Sequence, residues 1–154
     1  MLEAVPTNFF ANCIRLQQQN EVVGEIDQSI WRERALLELQ EATYTLRREG
    51  FCTGDYLLER DGTVVARATK PSFFQCSFEV DFATRHLTMR KPSIWSRRFG
   101  VFEGEKELGS VYPLGMFTRR SSIDLPADLP LANRIFVFWL AYLVWKRQSG
   151  AAAS

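Results

Sequence analysis

The sequence has little of what most metal sites and catalytic sites are built from. His86 is the only histidine, and the three cysteines, Cys13, Cys52 and Cys76, are far apart and form no CxxC pair. An odd number of scattered cysteines argues against a disulfide framework and against a zinc site, so we expect no metal and no cofactor. Catalysis by a Ser/His or Cys/His arrangement would depend on His86 alone, and a lone histidine on a strand is usually structural. Because the phosphate loops GxGxxG and GxxxxGKS/T are also absent, an enzyme is the least favoured class.

The charge balance and the N-terminus exclude further classes. Nineteen Lys and Arg residues stand against eighteen Asp and Glu residues, and the net charge of +1 provides no general attraction for nucleic acid. Glu3 stands where a signal peptide carries Lys or Arg, and no apolar run of useful length follows it. The sequence therefore predicts an uncleaved cytoplasmic protein that does not bind nucleic acid.

Long apolar runs are also lacking, and the longest uncharged one is the eleven-residue stretch Ile135 to Trp145, IFVFWLAYLVW. A helix that is apolar on every side has to be shielded from water on every side. Eleven helical residues cover about 16 Å, whereas the hydrocarbon core of a bilayer is about 30 Å thick. We therefore predict a helix over residues 129–148 that is buried in protein, with Asp128 as its N-cap, Gly150 as its stop signal and a frayed tail over residues 150–154.

The chain between Phe9 and Leu125 alternates polar and apolar residues over short segments, which is typical of an antiparallel all-β domain. Asp61-Gly62 predicts a type I′ hairpin turn, and Gly104-Glu105 fits a type II′ turn. Residues 31–41 favour a helix by propensity, but we assign a strand there because the neighbourhood is rich in strands. Eleven strands are predicted in this way, over residues 9–18, 21–28, 31–39, 43–49, 54–60, 63–69, 73–82, 85–90, 94–103, 106–113 and 116–124.

The width of the apolar helix limits the size of the sheet that surrounds it. A helix with its side chains is about 10–12 Å in diameter. An eight-stranded barrel is filled by its own side chains, whereas an eleven-stranded barrel is wide enough to enclose a helix. The predicted fold is therefore mainly β, a closed antiparallel β-barrel of about eleven to twelve strands that encloses a hydrophobic C-terminal α-helix, with residues 1–154 as a single domain. A flatter sheet with the helix on one face is disfavoured, because it would leave part of the helix's aromatic side chains in water.

The order of these features resembles the tubby C-terminal-like superfamily, and within it the small LURP-one-related and phospholipid-scramblase-like proteins. The residues that carry the resemblance are Gly54–Leu58 paired with Asp61–Ala68, then Phe78–Val80, then Glu107–Val111, then the apolar helix. The resemblance implies a closed barrel of about a dozen strands threaded by that helix. It also implies recognition of membrane lipid, because tubby domains bind phosphoinositides through basic residues and scramblase-like members associate with membranes.

One region has a local excess of positive charge. Residues 83–102 contain no acidic residue and provide the candidate lipid-binding or phosphate-binding residues, which are Arg85, Arg90, Lys91, Arg97 and Arg98. Beside them, Ile94 and Trp95 are candidates for the interfacial zone of a membrane. Strand alternation instead places Trp95 in the core, on the face of Phe99 and Val101. It places Arg97 on that face as well, unless a bulge intervenes. Arg119-Arg120 is a second, smaller candidate, and for both groups a solvated surface is the alternative interpretation.

Three hypotheses follow for function. The first is a non-enzymatic module that binds anionic phospholipid or phosphoinositide through the basic region, peripherally at a membrane. The second is a protein-interaction or scaffold domain with the same barrel, which binds a protein partner and no lipid. The third treats the C-terminal helix as a membrane tail anchor, and it predicts that a chain without Ile135–Ser154 folds as a soluble domain.

Overall fold

The computed structural model describes residues 1–7, 12–29, 33–50, 54–70, 77–115 and 119–153. Within these residues the chain forms twelve strands and one helix. The strands are β1 (Leu2–Pro6), β2 (Cys13–Gln18), β3 (Glu21–Gln28), β4 (Arg34–Leu39), β5 (Thr43–Arg48), β6 (Tyr56–Arg60), β7 (Thr63–Thr69), β8 (Ser77–Phe82), β9 (Arg85–Arg90), β10 (Phe99–Glu103), β11 (Lys106–Pro113) and β12 (Ser121–Asp124). The helix, α1, spans Leu131–Ala153.

The strands form one closed barrel in which every strand pairs antiparallel with its neighbours along the chain. β1 closes the barrel by pairing with β12, with Leu2 opposite Ile123. The predicted closed barrel around a C-terminal helix is confirmed. The strand missing from the predicted set is β1, a short segment that ends in proline and lacks a clear alternation. Of the predicted strand over residues 9–18, residues 9–11 lie outside the described residues.

Two of the predicted turns have the backbone that their residues favour. Asp61 and Gly62 both have positive φ angles, 52° and 78°, as a type I′ turn requires. Gly104 has a φ of 63°, which fits the first central position of a type II′ turn. β4 confirms the strand over the described part of residues 31–39. The strand predicted over residues 94–103 is wrong at its start, because β10 begins only at Phe99.

The two ends of the barrel differ in their connections, and we name them for this difference. At the turn end lie the short hairpin turns, at residues 19–20, 40–42, 61–62, 83–84 and 104–105. The opposite end, the loop end, carries the segment of residues 91–98 between β9 and β10. Since β12 finishes at the turn end, α1 enters the barrel there and leaves at the loop end.

The helix lies inside the barrel with its apolar run surrounded by strands. Every residue from Ile135 to Trp145 is buried except Tyr142, which is half-buried. Trp139 Nε1 donates a hydrogen bond of 2.7 Å to Gln28 Oε1 on β3, where both residues are buried. Within the described residues, no helix is both long enough and apolar enough to cross a bilayer.

The predicted ends of the helix need correction. The N–H groups of Asn133 and Arg134 both donate to the carbonyl of Pro130, so the helix begins after Pro130 and Asp128 is not its N-cap. The Asp128 carboxylate accepts a hydrogen bond from Arg85 instead. At the other end the helix continues through Gly150 to Ala153, so Gly150 is not a stop signal and the tail predicted to fray is helical that far.

Gly109, on β11, provides a sharp test of the barrel packing. A Cβ atom at this position would overlap the backbone carbonyl oxygen of Asp124, which has no rotamer with which to move away. We expect Gly109→Ala to lower the free energy of unfolding by about 3 kcal/mol, measured by urea denaturation. Gly100→Ala is the matched control, because its Cβ would meet the end of the flexible Phe102 ring, 2.8 Å away. Equal losses in the two variants would contradict the close approach of β11 and β12.

Candidate functional site

The barrel separates Arg85 from the other four predicted basic residues. Arg85 begins β9 at the turn end and Arg90 ends it at the loop end, so five strand steps place their backbones about 17 Å apart. Arg85 donates to Glu103 at 2.9 and 3.2 Å and to Asp128 at 3.1 Å. The structure therefore does not bring Arg85 together with the other lipid-binding candidates, because its guanidinium is held by carboxylates at the opposite end of the barrel.

Arg90, Lys91, Arg97 and Arg98 lie together at the loop end. The guanidinium carbon of Arg90 lies 4.0 Å from the ring centroid of Phe102, a cation–π distance that keeps the charge at the surface. The backbone carbonyl of Arg97 accepts a hydrogen bond of 2.8 Å from Trp145 Nε1, which ties the segment of residues 91–98 to the end of the buried helix. The Arg97 and Arg98 side chains are exposed. Four of the five predicted residues therefore share one rim.

A small cavity opens between these basic side chains. Its volume is about 220 Å³, and Arg90, Lys91, Arg98, Phe102 and Glu107 are among the residues that line it. Arg98 reaches Glu107 at 3.4 Å, a long contact that leaves most of the guanidinium's donors for other partners.

Lys91 is the unusual residue of this cavity. Its Nζ atom is buried and has no hydrogen-bond partner among the described residues. The Nζ atom lies over the Phe99 ring, 5.6 Å from its centroid. A buried ammonium group without a partner is costly, and a rotation of the Lys91 side chain toward the cavity would let an anionic oxygen there accept a charge-assisted hydrogen bond. The cavity is therefore suited to a phosphate or carboxylate group.

Ile94 and Trp95 stand at the tip of the segment that carries this cavity. The N–H of Ser96 donates to the carbonyl of Ser93 at 3.2 Å, which closes a turn with Ile94 and Trp95 at its two central positions. Their exposed fractions are 71% and 85%. The core position expected for Trp95 is wrong, because the strand does not extend back to it and alternation does not apply. The sequence signal for this turn is Pro92-Ser93, a pair typical of a break in a strand.

Charge is distributed unevenly along the barrel axis. The segments that connect strands at the turn end, together with residues 125–130, carry no Lys or Arg but four carboxylates, those of Glu41, Asp61, Glu105 and Asp128. At the loop end the described connecting segments and the end of the helix carry Lys70, Lys91, Arg97, Arg98, Arg119, Arg120, Lys146 and Arg147. The loop end therefore faces solvent with an excess of positive charge.

The carboxylates of the loop-end segments do not cancel this excess at the candidate site, because each is occupied by an arginine. Glu49 and Asp55 each accept a hydrogen bond of 2.8 Å from Arg67. Glu33 accepts from Arg48 at 3.2 Å and is also paired with Arg147.

The contact between Glu33 and Arg147 is part of a cluster that fixes the helix where it leaves the barrel. Arg147 donates to the Tyr56 hydroxyl oxygen at 2.8 Å, and that hydroxyl donates to Glu33 at 3.2 Å. Burial, followed by the charge of Glu33, raises the pKa of Tyr56, so the phenol keeps its proton at neutral pH. The partners are too distant along the chain for sequence reasoning to have paired them.

The single histidine lies on the outer surface of the barrel and is held by two carboxylates. His86 Nδ1 lies 2.6 Å from Asp81 Oδ1, and Nε2 lies 2.6 Å from Glu79 Oε2. The carboxylates raise the pKa of His86 above its ordinary value of 6.5, with the hydrogen bond to Asp81 as the largest cause. Within the described part of the chain, no group of three His, Cys, Asp or Glu side chains is placed to hold a metal ion.

This arrangement predicts a pH-dependent contribution to stability. Because the pKa of His86 is raised in the folded state, the contribution is present below 6.5 and is lost as the pH rises through the folded pKa. We expect His86→Gln to remove this decline, so that the difference in urea midpoint between wild type and variant shrinks from about pH 6 to about pH 9. The effect is small because the His86 side chain is 54% exposed. A difference that grew with pH would contradict the assignment.

The described cysteine, Cys13, is a free thiol that donates to Glu25 Oε1 at 2.5 Å, and Cys52 and Cys76 lie outside the described residues.

Comparisons of the sequence and of the structure with known proteins find no relative of this chain. The resemblance to the tubby C-terminal-like superfamily stays a prediction. No protein-family model, no curated protein and no solved structure matches this chain.

Proposed function

We propose that this protein is a non-enzymatic, tubby-like module that binds anionic phospholipid at a membrane surface through the loop end of its barrel. The observation that carries the proposal is the turn of residues 93–96, which presents Ile94 and Trp95 to solvent beside the cavity that the basic residues Arg90, Lys91 and Arg98 line. A lipid surface can contact both features, because its interfacial zone accepts the apolar pair and its anionic headgroups pair with the basic residues.

The apolar pair supplies one part of the binding. Tryptophan is amphipathic and is enriched where one end of its ring is apolar and the other is in contact with water, as in the headgroup region of a bilayer. Ile94 and Trp95 are exposed in the free protein, so their transfer into the interfacial zone removes apolar surface from water and breaks no packing in the barrel.

The basic residues supply the other part. Each Lys or Arg held near an anionic leaflet contributes about 1 kcal/mol, and guanidinium groups pair with phosphate oxygens in a bidentate geometry. The charge difference between the two ends also orients the barrel during approach, because the acidic turn end is repelled by the same surface. Arg90, Lys91, Arg97 and Arg98 are the residues to which we assign this role.

Co-sedimentation of the full-length protein with vesicles tests the proposal. Neutral phosphatidylcholine vesicles are compared with vesicles that also contain phosphatidylserine or, at matched surface charge, a phosphoinositide, each at low and at high salt. We expect binding to both anionic vesicles that weakens as salt rises, because screening acts on exposed charges. A stronger response to the phosphoinositide at matched charge would identify the phosphomonoester as the preferred group. No binding in any condition would overturn the proposal and favour the protein-interaction or scaffold domain, with a protein partner.

A further inference from the structure

A second and larger cavity lies at the opposite end of the barrel, between the start of α1 and the turns of the turn end. Its volume is about 590 Å³. Its apolar walls include Val23, Leu39, Tyr44, Val65 and Leu131. These five side chains pack against the hydrophobic core yet are only partly buried, because the cavity leaves one side of each uncovered.

The cavity follows from where the helix places its large side chains. Farther along α1, Phe136, Phe138, Trp139 and Trp145 fill the barrel. The first helical residues, Leu131 to Asn133, include no aromatic side chain that could fill the wide mouth of the barrel. An apolar space of this size lies within the range of about 300–1,000 Å³ that is usual for small-molecule sites.

The polar groups of this cavity indicate the kind of ligand. Asn133 also lines it, and its side chain is almost fully buried, with 9% of the residue exposed. Among the described residues the Asn133 amide has no side-chain hydrogen-bond partner, and it is not one of the polar groups sealed from solvent, so its donors and its acceptor are open to a molecule in the cavity.

Among the described residues, the charged ones that line the cavity are Arg60 and Glu41, which are opposite in sign. The Arg60 guanidinium also lies 3.9 Å from Asp61 and over the Tyr44 ring, at 5.9 Å from its centroid. The described lining is therefore neutral overall, and the Asn133 amide offers a ligand hydrogen bonds and no charge.

We infer that this cavity binds a small uncharged amphiphile, an alkyl chain with one hydroxyl or comparable hydrogen-bonding head. The chain lies against the apolar walls and the head pairs with the Asn133 amide. At about 30 Å³ per atom the space holds roughly twenty non-hydrogen atoms. The inference is independent of the proposed lipid-surface function, because the two cavities share no described residue.

The test uses three probes that share a ten-carbon alkyl chain and differ in the head group: 1-decanol, decanoate and decylammonium. Each is titrated into the ¹⁵N-labelled full-length protein below its aggregation limit and followed by amide chemical shifts. We expect 1-decanol to bind saturably and to shift the amides of Ala42, Val65, Ala132 and Asn133, and we expect both charged probes to bind at least fivefold more weakly. Absence of saturable shifts at these positions, or tighter binding of either charged probe, would overturn the inference.

Three variants distinguish binding of decanol in this cavity from nonspecific hydrophobic binding elsewhere on the protein. Val65→Phe adds volume where the wall faces the cavity, so we expect at least a tenfold loss of decanol affinity. Val64→Phe is the matched control on the same strand, where Val64 is 42% exposed and does not line the cavity, and we expect it to bind as the wild type does. Asn133→Ala removes the hydrogen-bonding amide, and we expect an affinity about three- to tenfold lower. Because Asn133→Ala removes volume and adds none to the barrel, it tests the inference even if Val65→Phe does not fold. Unchanged affinity in Asn133→Ala would overturn the role of the amide.

Discussion

A chain that ends at Arg134 is expected not to fold. The truncation removes Ile135 to Trp145, the run that fills the barrel, and leaves the inward-facing side chains of twelve strands around an empty interior. Each fully buried Leu, Phe or Val side chain contributes roughly 1.5–3 kcal/mol by leaving water, against a total stability of about 5–15 kcal/mol for a domain. The loss therefore exceeds what the barrel can tolerate. Near-ultraviolet circular dichroism and urea denaturation should show neither fixed aromatic side chains nor a cooperative transition.

The matched control is a chain that ends at Arg147. It keeps Trp145, whose indole donates to the Arg97 carbonyl, and keeps Arg147 in contact with Tyr56 and Glu33. We expect this chain to unfold cooperatively with nearly the stability of the wild type. A soluble, cooperatively folded chain that ends at Arg134 would contradict the threaded barrel and support the tail-anchor hypothesis.

The main features of the fold could be predicted because two physical limits act together. The run from Ile135 to Trp145 is apolar all round, so it must be enclosed, and it is too short to cross a bilayer. A helix of known width then requires a barrel of a particular strand number. Neither argument depends on the exact start or end of any strand, which explains why the missed β1 and the late start of β10 did not change the predicted architecture.

The ends of the helix were harder to predict because local signals compete with tertiary contacts. Asp128 has the right chemistry for an N-cap, yet its carboxylate accepts from Arg85, which lies 43 residues earlier in the chain. Propensity describes which residues suit a cap in isolation, and it does not include a long-range partner of opposite charge.

The candidate site was predicted only in part, for geometrical reasons. Closeness in sequence grouped Arg85 with Arg90, but a fully extended strand carries its two ends to opposite ends of the barrel. Extending the alternation of Phe99 and Val101 back to Trp95 placed that residue in the core, whereas the turn closed by Ser93 and Ser96 exposes it. The cavities and the unpartnered Lys91 depend on three-dimensional packing, for which the sequence carries no local signal.

Reversal of charge at the loop end is expected to abolish binding to anionic membranes. In the double variant Arg97→Glu/Arg98→Glu, two exposed cations beside Trp95 become anions. Each basic residue near an anionic leaflet contributes about 1 kcal/mol, and each reversal replaces attraction with repulsion, so we expect the partition coefficient onto phosphatidylserine-containing vesicles to fall at least about a hundredfold. The measurement is co-sedimentation at low salt, with near-ultraviolet circular dichroism to verify that the variant is folded.

The turn end provides a control with the same change in net charge. Arg60→Glu/Lys106→Glu also replaces two cations with two anions, but at the end of the barrel where connecting segments carry only carboxylates. If the loop end faces the membrane, these residues lie a barrel length from the lipid, beyond the Debye length of about 10 Å at 0.1 M salt, and binding should change little. Equal losses in the two double variants would show that only net charge matters, which contradicts a binding surface at the loop end. A selective loss in Arg97→Glu/Arg98→Glu that Trp95→Ser reproduces on vesicles at high salt would assign binding to the apolar turn and its basic rim together.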